Sequence, residues 1–392
     1  MQNKTLSDMN SNILESEQTT HSQQINATST YKLQDSQYPA KKSKQIAAVA
    51  LFSGGLDSMI SMQLLHEQGI KVYALNFNIG FGSNKDKSEY FHNAAKQVGA
   101  ELIQIDIAKQ FFDNILFKPQ FGYGRFFNPC IDCHANMFSH AFSKMLELNA
   151  DFAISGEVLG QRPKSQRRDA LDQVRSLIRK IGENPKYDSI LSRDGNDITK
   201  PRTLDELMLR PMSAKLLPES FPEKMGWVNR EHLLGVSGRG RQTQFDLLKK
   251  YGWKYHEKPG GGCLLTDTSV TLKIKDMMTH REVVFEDIAL FKNGRYMVLD
   301  NGAKLVIARN EEENKKLDIT HSKMDKIIPE AIGPLALLDK NATDSEKILA
   351  GRIVLSYCKT DPNQNYKVTI GDEYFKLSPY PREETSKFLF LK

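Results

Sequence analysis

The chain has 392 residues, 40% of them hydrophobic and 26% charged, with a formal net charge of +6. That length predicts two domains plus tails, and the mild charge permits a polyanionic partner without requiring one. No apolar run approaches a membrane span, Asp8, Glu15 and Glu17 stand where a secretory signal would be apolar, and four cysteines are too few for a disulfide framework. The expectation is a cytoplasmic protein without membrane association, whose paired cysteines act as ligands or catalysts.

Residues 1–44 are rich in Ser, Thr, Gln and Asn and read as a disordered polar tail. The apolar run 46–52 predicts a strand entering Ser53-Gly54-Gly55-Leu56-Asp57-Ser58. A helix over Met59–Gln68 should stop at Gly69, with a second strand at Val72–Phe77. A helix at Glu89–Val98 and a strand at Leu102–Ile107 follow. Repeated strand–helix–strand order predicts a parallel sheet covered by helices.

In Asn128-Pro129-Cys130-Ile131-Asp132-Cys133-His134, Pro129 suits the first turn of a helix. Cys130 and Cys133 then lie one turn apart on one face, at an N-terminus that lowers a thiol pKa. Phe121, Tyr123, Phe126 and Phe127 just before them suit either a core or the stacking of a flipped base. Phe152-Ala153-Ile154, leading into Ser155-Gly156, predicts a fourth strand. The basic stretch 162–180 contains Arg162, Lys164, Arg167, Arg168, Arg175 and Arg179. It reads either as a track for RNA phosphates or as a solvated helix face.

Segment 183–203 reads as a surface loop, and 226–251 as two short helices around Gly235–Arg241, with Arg239 and Arg241 forming a small basic loop. A third cysteine, Cys263, follows Gly260-Gly261-Gly262. A second unit of α+β type begins near Thr268. Tyr296–Ile307 predicts a hairpin with a type I′ turn at Asn301-Gly302, and Tyr366–Ile370 pairs with Glu373–Leu377 around Gly371. Cys358, in an apolar segment, reads as a small buried hydrophobe.

A strand ending in two glycines and entering a helix leaves backbone N–H groups open to an anion. Ser53 and Ser58 add hydroxyl donors, and Asp57 can hold Mg2+ against the same anion. The pocket suits pyrophosphate, while the Lys-Ser/Thr of a Walker A loop is missing. The six residues Ser53–Ser58 match the SGGxDS motif of the ATP pyrophosphatase, or PP-loop, enzymes, which this chain resembles. The resemblance implies a Rossmann-like α/β domain of the adenine nucleotide alpha hydrolase type and cleavage of ATP between its α and β phosphates. It places Asn76 and Phe77 near adenine, and Ser155, Gly156 and Glu157 near the ribose or phosphates.

The Asn-Pro-Cys-x-x-Cys stretch, with Ser155–Pro163, Leu209–Lys215 and Gly261–Asp267, resembles the tRNA thiouridylases related to 4-thiouridine and 2-thiouridine synthetases. The likeness covers about residues 45–268. It implies adenylation of a uridine carbonyl oxygen and its replacement by sulfur from sulfide, a cysteine desulfurase or a persulfide carrier. Cys130, Cys133 and Cys263 would then ligate three irons of a 4Fe-4S cluster, or share persulfide and disulfide roles, or hold structural zinc with His134. Arg162, Lys164, Arg210 and Lys215 are candidate helpers for phosphate charge. The same four, with Arg167, Arg168, Arg239 and Arg241, are the candidate RNA contacts.

Residues 270–392 resemble the RNA-binding domain of NFACT-type ribosome-associated proteins, chiefly over Gly302–Asn314. Too few residues precede the first strand for a THUMP-type domain, so the C-terminal unit is expected to hold tRNA. A PP-loop amide-forming ligase and a non-catalytic RNA-binding protein are the competing readings. The first leaves the three cysteines idle; the second predicts RNA binding without pyrophosphate release.

Overall fold

Small and branched apolar residues let β1, Ala47–Leu51, sit buried between neighbours on both sides. It pairs in parallel with β2, Lys71–Asn78, and with β4, Phe152–Ser155, in the registers Ala48↔Val72 and Ala48↔Phe152. With β3, Glu101–Asp106, and the two-residue β5, Met208–Leu209, the order is β3-β2-β1-β4-β5. This is a Rossmann-like parallel sheet. Its order reverses between β1 and β4, and a ligand crevice forms at the carboxyl ends of strands at such a point. The computed structural model describes residues 44–257 and 263–391. The tail up to residue 43, and Gly260–Gly262, fall outside them.

Helices Leu56–His66, Ser88–Gln97, Cys130–Glu147 and Arg168–Ile181 flank the sheet. The first starts at Leu56, earlier than expected, because Gly55 takes the extended N-cap conformation (φ −81°, ψ 154°). Pro129 is likewise the N-cap residue, one position before the helix that Cys130 opens. The basic stretch does form an amphipathic helix. Ala170, Leu171, Val174 and Ile178 face inward, while Arg175 and Arg179 each reach the buried Asp205 at 3.0 Å. Segment 183–203 is not wholly a surface loop: Tyr187 is fully buried and Leu191 nearly so, in the main core.

The second sheet is antiparallel: β6 Arg295–Val298, β7 Lys304–Ile307, β8 Met324–Pro329, β9 Ala336–Asp339, β10 Tyr366–Ile370 and β11 Glu373–Leu377. Its order is β11-β10-β8-β9-β7-β6. The β6–β7 turn departs from type I′. Asn301 keeps a negative φ and only Gly302 is left-handed, at φ +95°. Gly302 N donates to Leu299 O and Leu299 N to Ala303 O, so a longer loop absorbs the strand twist with one glycine. No helix among the described residues is long and apolar enough to cross a membrane.

One face of this sheet packs Ile307, Ile327 and Leu338 with Ile353 and Val354 of helix Asp344–Leu355. The other presents Tyr296, Val306, Met324 and Leu337 to helices Thr268–His280 and Asp287–Lys292. That second cluster also holds Phe81, Phe111, Phe127 and Cys133 from the region of the parallel sheet.

Candidate nucleotide and thiol site

The Ser53–Ser58 loop leaves β1 at the switch point. Gly54 is left-handed (φ +75°), and a Cβ there would meet the rings of Phe91 and Tyr90 at 2.8 and 3.0 Å. Tyr90 OH donates to Gly54 O at 2.9 Å, fixing the loop from the second helix. Gly156, just after β4, packs on the loop so closely that a Cβ would lie 2.4 Å from Ser58 N. Ser53 Oγ accepts from Gly55 N at 3.3 Å and stays exposed, whereas Ser58 Oγ donates to Gly55 O at 2.7 Å. Asn76 Nδ2 donates to Phe52 O, and the Phe77 ring centroid lies 6.3 Å from that of His140.

Asp57 is already engaged. Its Oδ2 accepts from Gln161 Nε2 at 2.7 Å and Arg241 Nη2 at 2.9 Å, and its Oδ1 from Gln244 Nε2 at 3.1 Å. Arg241, expected as an RNA contact, is thus turned into the nucleotide site, where burial beside a carboxylate suits it better than water. Arg210 is also turned inward. It is 5% exposed, and its Nε donates to Glu157 Oε2 at 2.8 Å. His134 Nδ1 lies 2.7 Å from Glu157 Oε1, and Ser155 Oγ donates to Oε2 at 3.0 Å. Burial pushes the Glu157 carboxyl up, but the Arg210 guanidinium and the His134 hydrogen bond overcome it and hold it down at about 2. His134 therefore ties the cysteine helix to the end of β4. Two buried atoms here, Arg210 Nη2 and Gln244 Oε1, have no partner among the described residues.

The other cations face outward or brace loops. Arg162, Arg167, Arg168 and Arg239 are exposed. Arg167 pairs with Asp169, and Arg168 Nη2 donates to Leu216 O. Lys164 Nζ donates to Phe121 O at 3.2 Å, and Lys215 Nζ to Glu231 O at 2.8 Å.

The three thiols converge. Cys130, Cys133 and Cys263 lie within electrostatic reach of one another, and Cys133 and Cys263 share one apolar cluster. Glu257 N donates to Gly54 O at 2.9 Å, so the six residues leading on to Cys263 keep it within about 20 Å of the loop. Burial, then the neighbouring thiols, push Cys133 well up; burial pushes Cys263 up to about 11. The lowering expected from a helix N-terminus is outweighed at Cys133 because its sulfur is sunk in the core. Arg162 and Lys292 act on Cys263 in the opposite sense. Asn128 Nδ2 donates to Cys130 Sγ at 3.2 Å, and Asp132 accepts from the backbone N–H groups of Gln120 and Phe121. Among the described residues no three His, Cys, Asp or Glu side chains stand together as a metal-holding group.

Gln161, Gln244, Tyr90 and Lys292 escaped sequence reasoning. Gln244 carries no charge and lies 187 residues from Asp57, so no local pattern marks it, and Gln161 falls inside the Ser155–Pro163 stretch but 104 residues from the carboxylate it meets.

A parallel sheet with a glycine loop and aspartate at its switch point defines a nucleotide-binding α/β protein of the PP-loop class. The family profile described as the tRNA methyl transferase HUP domain matches residues 46–175, and that described as the NFACT protein RNA binding domain matches 294–389. A tRNA-specific 2-thiouridylase MnmA 2 of Clostridium botulinum strain Hall is 32% identical over 230 residues, covering 48% of this chain and 65% of that protein. A tRNA-specific 2-thiouridylase MnmA 1 of Clostridium tetani is 32% identical over 127 residues, covering 30% and 35%. The chain thus spans somewhat less than two thirds of the first relative and about a third of the second. A solved complex of a 4-thiouridine synthetase with RNA and ATP aligns at a TM-score of 0.31 and 18% identity, over 52% of this chain and 50% of that one. The chain is thus similar to PP-loop, HUP-domain tRNA thiouridylases over its parallel-sheet region and to NFACT-type RNA-binding domains over residues 294–389.

Proposed function

We propose that the protein is an ATP-dependent tRNA sulfurtransferase. The observation that carries this reading is the clustering of Cys130, Cys133 and Cys263 within electrostatic reach of one another, joined to the phosphate loop through His134, Glu157 and Gly156. A ligase making amides from small carboxylates has no use for that cluster. Mg-ATP binds with its phosphates on the N–H groups and hydroxyls of Ser53, Gly54, Gly55 and Ser58. Asn76 and Phe77 lie toward the adenine, and Ser155 and Gly156 toward the ribose or phosphates. Asp57 would hold Mg2+, which would supply charge neutralisation at the phosphates, and Arg241 beside it would meet phosphate charge.

A uridine carbonyl oxygen attacks the α-phosphorus, and pyrophosphate leaves with its bonding pair. The terminal sulfur of a cysteine persulfide, loaded by a desulfurase or persulfide carrier, adds to the same ring carbon, and AMP departs with the C–O pair. A second cysteine thiolate attacks the carrier sulfur, forms a disulfide and leaves sulfur on the ring; an external dithiol restores both thiols. A 4Fe-4S cluster on the three thiolates would instead supply an open iron for sulfide.

The test is mass spectrometry of tRNA nucleosides from cells lacking the protein. One thionucleoside should vanish, returning with wild type and not with Cys130→Ala; an unchanged profile overturns the reading. Iron and acid-labile sulfide in anaerobically purified protein distinguish the two roles of the cysteines.

A further inference from the structure

The face of the second sheet that carries Met324, Val306 and Leu337 is covered over only half its width. Over β6, β7 and β9 it lies against the helices before the sheet. Across β8, β10 and β11 the same face continues uncovered. There Ile328 pairs with Thr369 and Thr369 with Tyr374, and alternation puts Lys326, Lys367 and Lys376 on that side. Ile328 is 57% exposed and Tyr374 66%. Lys367 Nζ lies 5.0 Å from the Tyr374 ring centroid, and Lys326 pairs with Asp318. Glu330 is the carboxylate at this end, and it accepts from the Lys367 backbone N–H.

Lys367 and Lys376 are direct register partners. Like charges set opposite each other on neighbouring strands destabilise a sheet. Among the described residues neither forms an ion pair, so an external polyanion would relieve the repulsion. An exposed aromatic ring between cations fits a nucleic acid strand better than an acidic peptide, because the ring has a base to stack on while the lysines take phosphates.

We propose that this open half-face is a platform for a single-stranded segment of RNA, with a base on Tyr374 and flanking phosphates on Lys367, Lys376 and Lys326. The proposal rests on the tRNA reading above and adds where the C-terminal domain holds the strand.

The test is fluorescence anisotropy with the full chain, using a labelled ten-nucleotide oligouridylate and an unmodified tRNA transcript. Tyr374→Ala should weaken oligouridylate binding about 5- to 150-fold, as loss of one stacked base does, while Tyr374→Phe stays near wild type. The double variant Lys367→Ala, Lys376→Ala should reduce the slope of log affinity against log salt by about 1.4. Melting temperatures at or above wild type for the double variant would confirm that the repulsion it removes is real. Undiminished binding by both variants, in a protein that still restores the thionucleoside, overturns the platform and leaves the enzymatic reading intact. A wild-type chain that binds neither probe and restores no thionucleoside overturns both.

Discussion

The two sheets bury their charges for different purposes. In the parallel sheet, Glu157 joins His134 and Arg210, three segments that all border the nucleotide crevice. In the antiparallel sheet, Asp287 takes Arg281 at 2.7 Å and His321 at 3.2 Å, and Arg281 also reaches Asp339 at 2.9 Å. That second network ties helix ends to strand ends and touches no proposed chemistry. Similar chemistry, a buried carboxylate held by an arginine and a histidine, thus positions a site in one region and only the framework in the other.

Glycine substitution separates the regions most sharply. Gly156→Ala drives a Cβ into the backbone of Ser58 and should cut pyrophosphate release from Mg-ATP by ~100-fold or more, the scale of losing a positioned phosphate donor. At Gly351 the nearest atom, 2.6 Å away, is the end of the flexible Leu377 side chain. Gly351→Ala should leave activity unchanged and shift stability by no more than about 1 kcal/mol, since alanine favours the helix. Equal loss of activity in both variants would break the distinction.

Removing the carboxylates tests the networks themselves. Glu157→Gln leaves the buried Arg210 without its counter-charge and should cost about 3–5 kcal/mol in denaturant melts, and Asp287→Asn should cost less, because Arg281 keeps Asp339. Only Glu157→Gln should also impair activity in the fraction that stays folded. The Glu157 carboxyl falls from its ordinary 4.5 to about 2 on folding, so its contribution is complete above pH 4.5 and is lost as pH falls through 2. Acid melts of Glu157→Gln should therefore show a flatter pH dependence over that window than wild type.

Thiol reactivity gives a smaller contrast. Burial pushes both Cys263 and Cys358 up to about 11, and each should alkylate about 100-fold more slowly than a free cysteine at pH 8. Peptide mass spectrometry after iodoacetamide treatment reads this directly. Added ATP and tRNA should change the rate at Cys263 and leave Cys358 as it was. In the β6–β7 loop, Gly302→Ala, at φ +95°, should lower stability by about 1–2 kcal/mol with activity intact.

The phosphate loop, the strands and helices around it and the β10–β11 hairpin were legible in the residues because each is a contiguous pattern whose turn chemistry is local. Contiguity also explains the misreadings. Two residues of β5 carry no alternation to detect, Tyr187 lies buried within a polar stretch, and the Asn301-Gly302 pair looks like a two-residue turn until the flanking hydrogen bonds lengthen it. The charge of Arg210 and Arg241 was visible, but its direction was not. Whether a guanidinium meets solvent or a carboxylate depends on partners 53 and 184 residues away.

The sequence by itself determined the class of nucleotide loop and the identity of the three sulfur-bearing residues, since both are written in short motifs. Only the tertiary structure brought Cys263 to Cys130 and Cys133, engaged Asp57 with Arg241 and left half of one sheet face open. Each of those results comes from packing between remote segments, where burial and charge pairing, rather than local propensity, select the arrangement.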